Sequence, residues 1–455
     1  MKVELYNEMK KDPETAASHA ARVCYLSDDL AKNKEGKLLL HEKLDVKGRL
    51  VDTGHHSTLE HSYFTFHLTD IPVSLAVFGL HLTAPHYNTD QRSGRFSKMY
   101  ENPDFGAIEK SLHEAYPDKD LTKVMAWIKK GCQIYQENLP RLTEEAKKAI
   151  QAERPYVGEK YIEQNAPKFA QEQLRMFISQ CAPTAMDYTV DVSALMSLYR
   201  TAWSPEMRLL TQKMVDEVLK VHPELAYMFD KNKQNKRDIV PMCAPQEARV
   251  VEHPTVMVKG TLLNESQITP PNSVDSLDTL YFSPETMDNT QQVIQTEAIM
   301  SCATYGQDQR HRSVKRGKPM FTGHFYLPPL LKEAGLNKQA KEYMQEWLDL
   351  RKEVGDSLAT TITPYGAMVA TEKTYDMNAL FHEQAKRSCW CAQEEIYQMS
   401  VQLRKSLENK IHREDVLQCL APPCAKTGKC QEGVRYCGRN FKGVPLCKYF
   451  PQRSV

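Results

Sequence analysis

Apolar residues recur every three to four positions over several long stretches of the chain, the spacing that places them on one face of a helix. This spacing predicts helices at residues 13–24, 38–52, 69–82, 121–151, 168–182, 191–203, 205–221, 287–305, 338–360, 376–390 and 391–409. Alternation of apolar and polar residues instead predicts strands at 3–6, at the end of 55–67, and at 253–263. The chain is therefore expected to be α+β, with a helix-rich second half.

One hydrophilic stretch, residues 230–238, shows no apolar periodicity and is the best candidate for a linker. The chain has 455 residues, which is too many for one ordinary core. We therefore predict four regions along the sequence: a first domain at 1–229, a linker at 230–239, a second domain at 240–418, and a cysteine-rich segment at 419–455.

The charges of the chain are balanced, with 59 Lys and Arg against 58 Asp and Glu. A protein that coats nucleic acid usually carries a basic excess, so we expect no stable nucleic-acid partner. The longest apolar window, 71–82, is far shorter than the roughly 20 residues that span a bilayer, and the first residues lack the apolar core of a secretory signal. The sequence thus predicts no membrane association and a cytoplasmic location.

Two short segments carry residues suited to binding an anion. Ser93-Gly94-Arg95 offers a hydroxyl, a backbone that can approach a ligand closely, and a guanidinium. In the second segment, 306–312, a helical turn would place Gln307, Arg310 and His311 on one face. Each segment alone could equally be a solvated loop or an exposed basic turn.

Taken together, the two segments resemble the signature of the flavin-dependent thymidylate synthases. In that family Gln-x-x-Arg-His-Arg and Ser-Gly-Arg lie close together in one short chain, whereas here Arg-His-Arg is 310–312 and Ser-Gly-Arg is 93–95. Thr83-Ala-Pro85 stands where the first half would carry the triplet. The resemblance therefore predicts two tandem, diverged copies of the family fold, which is an antiparallel sheet with helices. Each copy would have lost the part of the site that the other copy keeps.

Active sites of this family lie between subunits, so the resemblance implies one composite site between the two halves, around deoxyuridine monophosphate (dUMP). The substrate-binding candidates are Gln91, Ser93, Gly94, Arg95, Gln307, Arg310 and Arg387, of which Arg387, Arg310 and Gln307 are also the catalytic candidates. The positions that match flavin contacts of the family are Ser57, Glu60, Arg310, His311, Arg312, Asn378 and His382. Asn378 replaces a family arginine, which leaves flavin binding by that helix open.

The function implied by the resemblance is the reductive methylation of dUMP to dTMP, with FAD as cofactor and methylenetetrahydrofolate and NADPH as co-substrates. A homodimer would rebuild the four-domain assembly of the family as a pseudo-tetramer. Two alternatives stay open. An enzyme of the same fold could modify another pyrimidine nucleotide, for example by hydroxymethylation, and a non-catalytic protein could bind a nucleotide or flavin.

Cysteines are concentrated near the end of the chain, where five of the twelve lie between 419 and 447. Thiolates gathered by short turns can bind zinc or an iron–sulfur cluster, although this spacing is looser than that of common zinc motifs. The candidate ligands are Cys419, Cys424, Cys430 and Cys437. Free or buried thiols are the alternative.

Overall fold

The computed structural model of the protein describes residues 1–5, 13–23, 45–82, 87–95, 100–241, 245–271, 284–433, 436–439, 444 and 448–455. Within these residues the strands are β1 (Lys2–Leu5), β2 (Tyr63–Pro72), β3 (Tyr87–Gln91), β4 (Pro183–Asp191), β5 (Arg249–Val251), β6 (Thr255–Leu262), β7 (Val293–Ser301), β8 (Lys315–Arg316), β9 (Met320–Tyr326) and β10 (Ala367–Asp376). Thr83-Ala-Pro85 and Cys447 lie outside the described residues.

The described helices are α1 (Pro13–Val23), α2 (Val73–Leu75), α3 (Phe105–Ala115), α4 (Thr122–Glu153), α5 (Glu159–Leu174), α6 (Val192–Thr201), α7 (Pro205–Val221), α8 (Cys302–Asp308), α9 (Pro329–Glu333), α10 (Asn337–Val354), α11 (Asp356–Thr361), α12 (Met377–Arg387), α13 (Glu394–Glu408), α14 (Glu414–Cys419) and α15 (Pro423–Thr427). Short 3₁₀ and π turns connect some of these elements, at His56–His61, Ala76–Leu80 and Pro284–Gln291 among others. None of the helices in this described part is both long and apolar enough to cross a membrane.

The chain folds into two compact units that interleave along the sequence. Unit 1 comprises Met1–Ser93, Pro103–Leu121 and Gln180–Val240, and unit 2 comprises Gly94–Asn102, Thr122–Ser179 and Pro241–Val455. The predicted linker 230–239 ends where the last segment of unit 1 ends. The predicted ranges 1–229 and 240–418, however, do not match the compact units, because α4 and α5 belong to unit 2. That each range is a copy of one family fold stays a prediction.

Unit 1 is built on an antiparallel sheet of strand order β1-β2-β4-β3. Every second residue of β2 is buried, and Phe64, Phe66 and Leu68 face the core with no exposed surface. This core continues into α6 and α7. The N-terminus of each of these helices is capped by the side chain of the preceding residue, Asp191 and Ser204.

Unit 2 contains a second sheet, of order β5-β9-β10-β7-β6, in which β8 also pairs with β10. All pairs are antiparallel except β5 with β9. The helices α4 and α10 pack together, and the rings of Trp127 and Tyr343 stack with centroids 4.5 Å apart. Trp127 Nε1 also donates to the Tyr343 carbonyl oxygen at 3.2 Å. The long helix from the first half of the sequence is thereby fixed to the second unit.

Several predicted helices are confirmed, and others are wrong. The helices predicted at 121–151 and 205–221 are α4 and α7. The range 287–305 instead holds β7, because Ile294, Thr296, Ala298 and Met300 alternate with exposed or half-buried residues and fill the core on one face of the sheet. The predicted helix 168–182 is displaced, since α5 ends at Leu174 before β4, and the start of the predicted helix 69–82 is the end of β2.

The close packing inside unit 2 gives a first testable prediction. A Cβ on Gly131 of α4 would lie 2.3 Å from the carbonyl oxygen of Phe177 and 2.2 Å from the hydroxyl of Tyr343. Gly131→Ala should therefore lower the free energy of unfolding by about 1–3 kcal/mol despite the better helix propensity of alanine. Denaturant unfolding measures this change.

Gly106→Ala in α3 is the matched control, because the nearest neighbouring atom would lie at 3.4 Å. This control should leave the free energy of unfolding unchanged or raise it by up to about 1 kcal/mol. A Gly131→Ala variant as stable as the control would contradict the close approach.

Candidate functional site

A buried ionic network holds the segment that follows α8. The Asp308 carboxylate accepts from Arg316 Nε at 2.5 Å and from Lys373 Nζ, and Lys373 Nζ also lies 3.1 Å from Glu383 Oε1. Burial alone would raise the pKa of Asp308, but the charges of Arg316 and Lys373 outweigh it and hold that pKa at about 2. Arg316 Nη1 donates to the carbonyl oxygen of His311 at 2.9 Å, which fixes the turn after α8.

His311 lies inside this turn and contacts two protein side chains through its ring. Arg387 Nε donates to His311 Nε2 at 2.8 Å, and His311 Nδ1 lies 3.3 Å from His382 Nδ1. An arginine can only donate, so His311 must be neutral with its proton on Nδ1, from which it donates to His382. Burial lowers the pKa of His311 well below its ordinary value, and the nearby Arg387 charge adds to this.

Arg387 belongs to a group of arginines that the sequence keeps far apart. Its Nη2 donates to the carbonyl oxygen of Gln307 at 2.7 Å, which together with His311 fixes the guanidinium. Burial and, more weakly, the positive charges of Arg95 and Arg310 lower the pKa of Arg387 to about 10. Arg95 and Arg310 of unit 2 thus each lie near enough to Arg387 for their charges to act on it, and we call these three residues the arginine cluster.

A fourth arginine, Arg175 at the end of α5, is linked to the same region through a glutamine. The side-chain oxygen Gln393 Oε1 accepts from Arg175 Nη2 at 2.6 Å and from Gln307 Nε2 at 2.7 Å. A Cβ on Gly94 would lie 3.4 Å from Arg175 Nη1 and 2.5 Å from the Tyr100 hydroxyl. Glycine is therefore needed in the Ser-Gly-Arg turn because these side chains approach its backbone.

One carboxylate and one backbone carbonyl group hold Arg95 in place. Its guanidinium pairs with the buried carboxylate of Glu172 on α5, and its Nη2 donates to the carbonyl oxygen of Cys391 at 3.1 Å. Along the sequence, Glu172 precedes β4 and Cys391 follows α12. The geometry therefore places Arg95 between elements from both halves of the sequence.

Unit 2 contains most of the predicted site residues. It brings together Gly94, Arg95, Gln307, Arg310 and Arg387 with His311 and His382, as described above. Arg312 is exposed in the turn that follows His311. Gln91, Ser93, Ser57 and Glu60 belong to unit 1, where Gln91 ends β3 and the exposed Ser57 and Glu60 lie in the 3₁₀ turn before β2.

Two of the predicted flavin-binding residues are occupied by protein partners. Asn378 is buried, its Oδ1 accepts from Asn289 Nδ2 at 2.8 Å, and its Nδ2 donates to the carbonyl oxygen of Thr286 at 3.2 Å. His311 is 4 % exposed and uses both ring nitrogens internally. Both side chains are thus held by the protein itself, and a contact of either residue with the flavin stays a prediction.

Two of the four cysteines predicted to bind a metal ion pack in different apolar clusters. Within the described ranges no three His, Cys, Asp or Glu side chains lie close enough together to hold a metal ion. Cys419 packs in an apolar cluster with Leu403 and Leu420, whereas Cys437 packs in another with Trp390 and Tyr397. All four cysteines, Cys419, Cys424, Cys430 and Cys437, are free thiols, and a zinc or iron–sulfur site formed by them stays a prediction.

Sequence reasoning missed Glu172, Arg175 and Gln393. Each is buried, with at most 4 % of its surface exposed. Charged and amide side chains in the apolar positions of a helix can indicate a buried polar site. In Glu172-Gln-Leu-Arg175 the two charged residues lie on one helical face, with no acidic or basic residue between them. This spacing is the sequence feature that could have indicated a buried polar site.

Comparison with known proteins agrees with the resemblance. Residues 4–224 match the family model described as thymidylate synthase complementing protein. The chain is 26 % identical over 238 residues to the flavin-dependent thymidylate synthase of Clostridium tetani, an alignment that covers 50 % of this chain and 85 % of that protein. The first half of the sequence, residues 4–224, is thus similar to the flavin-dependent thymidylate synthases. That residues 240–418 are a second copy of the same fold stays a prediction.

Solved structures of the family are similar to part of the chain. The Helicobacter pylori enzyme ThyX, crystallised with FAD and dUMP, covers 52 % of this chain and 100 % of its own at 18 % identity and a TM-score of 0.32. The UMP/dUMP methylase PolB of Streptomyces cacaoi, bound to 5-Br UMP, covers 38 % of this chain and 96 % of its own at 11 % identity and a TM-score of 0.27.

The ionic network gives a prediction on stability. Asp308→Asn would leave Lys373 and Arg316 buried beside a neutral side chain, and breaking a buried pair in this way typically costs about 3–5 kcal/mol. We expect a loss of this size in the free energy of unfolding, measured with denaturant at pH 7. Asp349→Asn, which removes an exposed pair with Lys352, should cost less than about 1 kcal/mol and serves as the control. Equal losses in the two variants would contradict the network.

The histidine pair gives a prediction on pH dependence. Burial lowers the pKa of His382 from 6.5 to about 4, so the unfolded chain takes up a proton below pH 6.5 that the folded chain refuses. The free energy of unfolding should therefore fall as pH drops from 6.5 towards 4, by up to about 1.4 kcal/mol per pH unit for this group. Denaturant titrations at several pH values measure the slope.

His382→Gln should make this slope shallower, because glutamine can accept from His311 without titrating. His113→Gln, an exposed position on α3 of unit 1, provides the control and should keep the wild-type slope. An unchanged slope in His382→Gln would show that the ring is not held neutral.

Proposed function

We propose that this protein is a flavin-dependent thymidylate synthase that methylates dUMP to dTMP, with methylenetetrahydrofolate as carbon donor and NADPH as reductant. The observation that carries the proposal is the arginine cluster, which joins Arg95 of the Ser-Gly-Arg segment to Arg310 and Arg387 of the second half. These are the residues that the family signature assigns to the nucleotide. Unit 2 thus contains a composite set from both halves of the sequence.

The cluster suits a phosphorylated ligand for electrostatic reasons. Three guanidinium groups close enough to influence one another are stabilised by an anion, and arginine binds phosphate with two parallel hydrogen bonds. The lowered pKa of Arg387, caused by burial with contributions from Arg95 and Arg310, measures the same electrostatic stress. A strongly perturbed pKa in such a group is typical of functional sites.

The neighbouring amides suit a pyrimidine ring. Among the described residues, Gln307 Oε1 and Gln393 Nε2 are buried and have no hydrogen-bond partner, although the other amide atom of each side chain is bonded. Together they offer one acceptor and one donor. A uracil ring presents the complementary groups, an N–H and a carbonyl oxygen, so its binding would satisfy both.

Residues that would hold FAD are present beside the cluster. Arg310 is half-buried and Arg312 is exposed, and both could pair with the pyrophosphate of the cofactor, while His382 is half-buried on α12. When bound, the flavin supplies the reducing equivalents of the reaction.

The protein's own contribution is to orient and polarise the nucleotide. Neutral His311 and the Gln307 carbonyl oxygen fix the Arg387 guanidinium, so its charge is directed before the ligand arrives. Preorganised charge of this kind stabilises the negative charge that develops on a pyrimidine carbonyl during attack at the ring. A protein nucleophile is not required for this role.

Several finer points belong to the same proposal. A homodimer and the use of NADPH are inferred from the family resemblance, and a cytoplasmic location stays the expectation drawn from the apolar pattern of the sequence. Hydroxymethylation of a pyrimidine nucleotide, or nucleotide binding without catalysis, would use the same arginine cluster. The product distinguishes these functions, so the test must identify it.

The decisive assay is tritium release from dUMP labelled at carbon 5, with FAD, methylenetetrahydrofolate and NADPH, followed by mass spectrometry of the product. Arg387→Ala should weaken dUMP binding roughly ten- to hundredfold, the loss of a charge-assisted hydrogen bond, and should abolish most tritium release. Arg141→Ala, an exposed position on α4, is the matched control and should behave like the wild type.

Unchanged dUMP affinity in Arg387→Ala would overturn the assignment of the arginine cluster. Binding of dUMP by the wild type without tritium release would instead favour the non-catalytic function. A hydroxymethylated product would favour the alternative reaction.

A further inference from the structure

A separate cavity of about 540 Å³ opens along one face of α5 in unit 2. Its volume is that of a pocket for a medium-sized organic ligand. Six of its lining residues follow the helical spacing of α5: Tyr161, Gln164, Asn165, Lys168, Phe169 and Glu172. Arg95, Arg154, Trp390 and Cys391 complete the lining, so Arg95 is the residue it shares with the arginine cluster.

The lining is positively charged. It contains the three cations Arg95, Arg154 and Lys168 and one carboxylate, Glu172, which already pairs with Arg95. Arg154 is 1 % exposed, and its charge faces the terminal carboxylate of Val455, an oxygen of which lies 2.8 Å from Nη2. The other two cations of the lining, Arg95 and Lys168, are matched by the single carboxylate of Glu172, so the lining keeps a positive excess that a bound anion would reduce.

The hydrogen bonds of Arg154 leave one of its donors unused. Nη1 donates to the Tyr161 hydroxyl and Nη2 donates to a terminal carboxylate oxygen of Val455 at 2.8 Å. Nε is buried and has no hydrogen-bond partner in the described part of the chain. The cavity is therefore lined by a deeply buried cation whose bonding capacity is incomplete.

Aromatic rings surround the same guanidinium. Its central carbon lies 5.8 Å from the ring centroid of Tyr161, 5.1 Å from that of Phe169 and 5.2 Å from that of Trp390. Flat apolar faces at this spacing favour a planar ligand, which can stack on a ring or on a guanidinium. The amides of Gln164 and Asn165 add hydrogen-bonding groups for ring substituents.

We propose that this cavity is a second ligand site, which binds a planar heteroaromatic molecule that carries negative charge. The proposed reaction uses two co-substrates of this chemistry, a reduced folate with glutamate carboxylates and NADPH with phosphates. Naming these two molecules rests on the proposed function, whereas the charge and the rings of the cavity do not. The site is distinct from the arginine cluster except for Arg95.

The test compares two lysines of α5 that are both exposed. Lys168→Glu reverses a charge of the lining, and Lys160→Glu makes the same change on the same helix away from the lining. Calorimetric titrations with 5-formyltetrahydrofolate and with NADPH, without flavin or dUMP, measure binding to the full chain. We expect one of the two ligands to bind the wild type and Lys160→Glu equally, and Lys168→Glu at least tenfold more weakly.

The ligand that binds identifies the source of the ring and the charge. If neither ligand binds the wild type, or if Lys168→Glu binds like Lys160→Glu, the proposal is overturned. A parallel dUMP titration separates the two proposals, because Lys168→Glu should keep the wild-type affinity for dUMP. If Lys168→Glu also lost dUMP affinity, dUMP itself would bind in this cavity, and the proposal of a second site would be overturned. If dUMP bound to no variant, only the proposed function would be contradicted.

Discussion

The buried contact between the Asp308 carboxylate and the cations of Lys373 and Arg316 is the interaction on which the candidate site depends. It joins the end of α8 to β8 and β10, and through Glu383 it reaches α12 one turn before Arg387. Two of the elements that carry the arginine cluster are thereby fixed to one centre. Charges buried in this way stabilise the fold only as a complete set. The free-energy cost of leaving one of them buried and unpaired is larger than the stabilisation that the pair provides.

Arg95 is fixed by the carboxylate of Glu172, whereas the structure fixes Arg387 and Arg175 with uncharged hydrogen-bond acceptors. Arg387 is held by a neutral histidine and a carbonyl oxygen, and Arg175 by the amide of Gln393. These partners orient the guanidinium groups without cancelling their charge. Positive potential is therefore retained for a ligand, whereas a carboxylate at the same positions would have neutralised it.

The sequence was sufficient to predict residues whose signal is local, and it failed where tertiary contacts decide. The helix 205–221 has its own cap, Ser204, and its own apolar face, so it was found to the residue. The residues of β7 include several of good helix propensity, which favour a helix locally, but pairing with β10 overrides that propensity. Arg175 could not be assigned, since its relation to Gln393 depends on α5 joining unit 2.

Arg95 links the candidate nucleotide site to the second cavity through physical contacts. Its guanidinium is held by Glu172, which lies on the face of α5 that lines the cavity, while its charge acts on Arg387. An anion bound in the cavity would therefore lie beside the same ion pair that sets the charge of the cluster. If both proposed sites bind their ligands, any change in Arg95 caused by one ligand would alter the binding free energy of the other, and by thermodynamic linkage the effect would be equal in both directions.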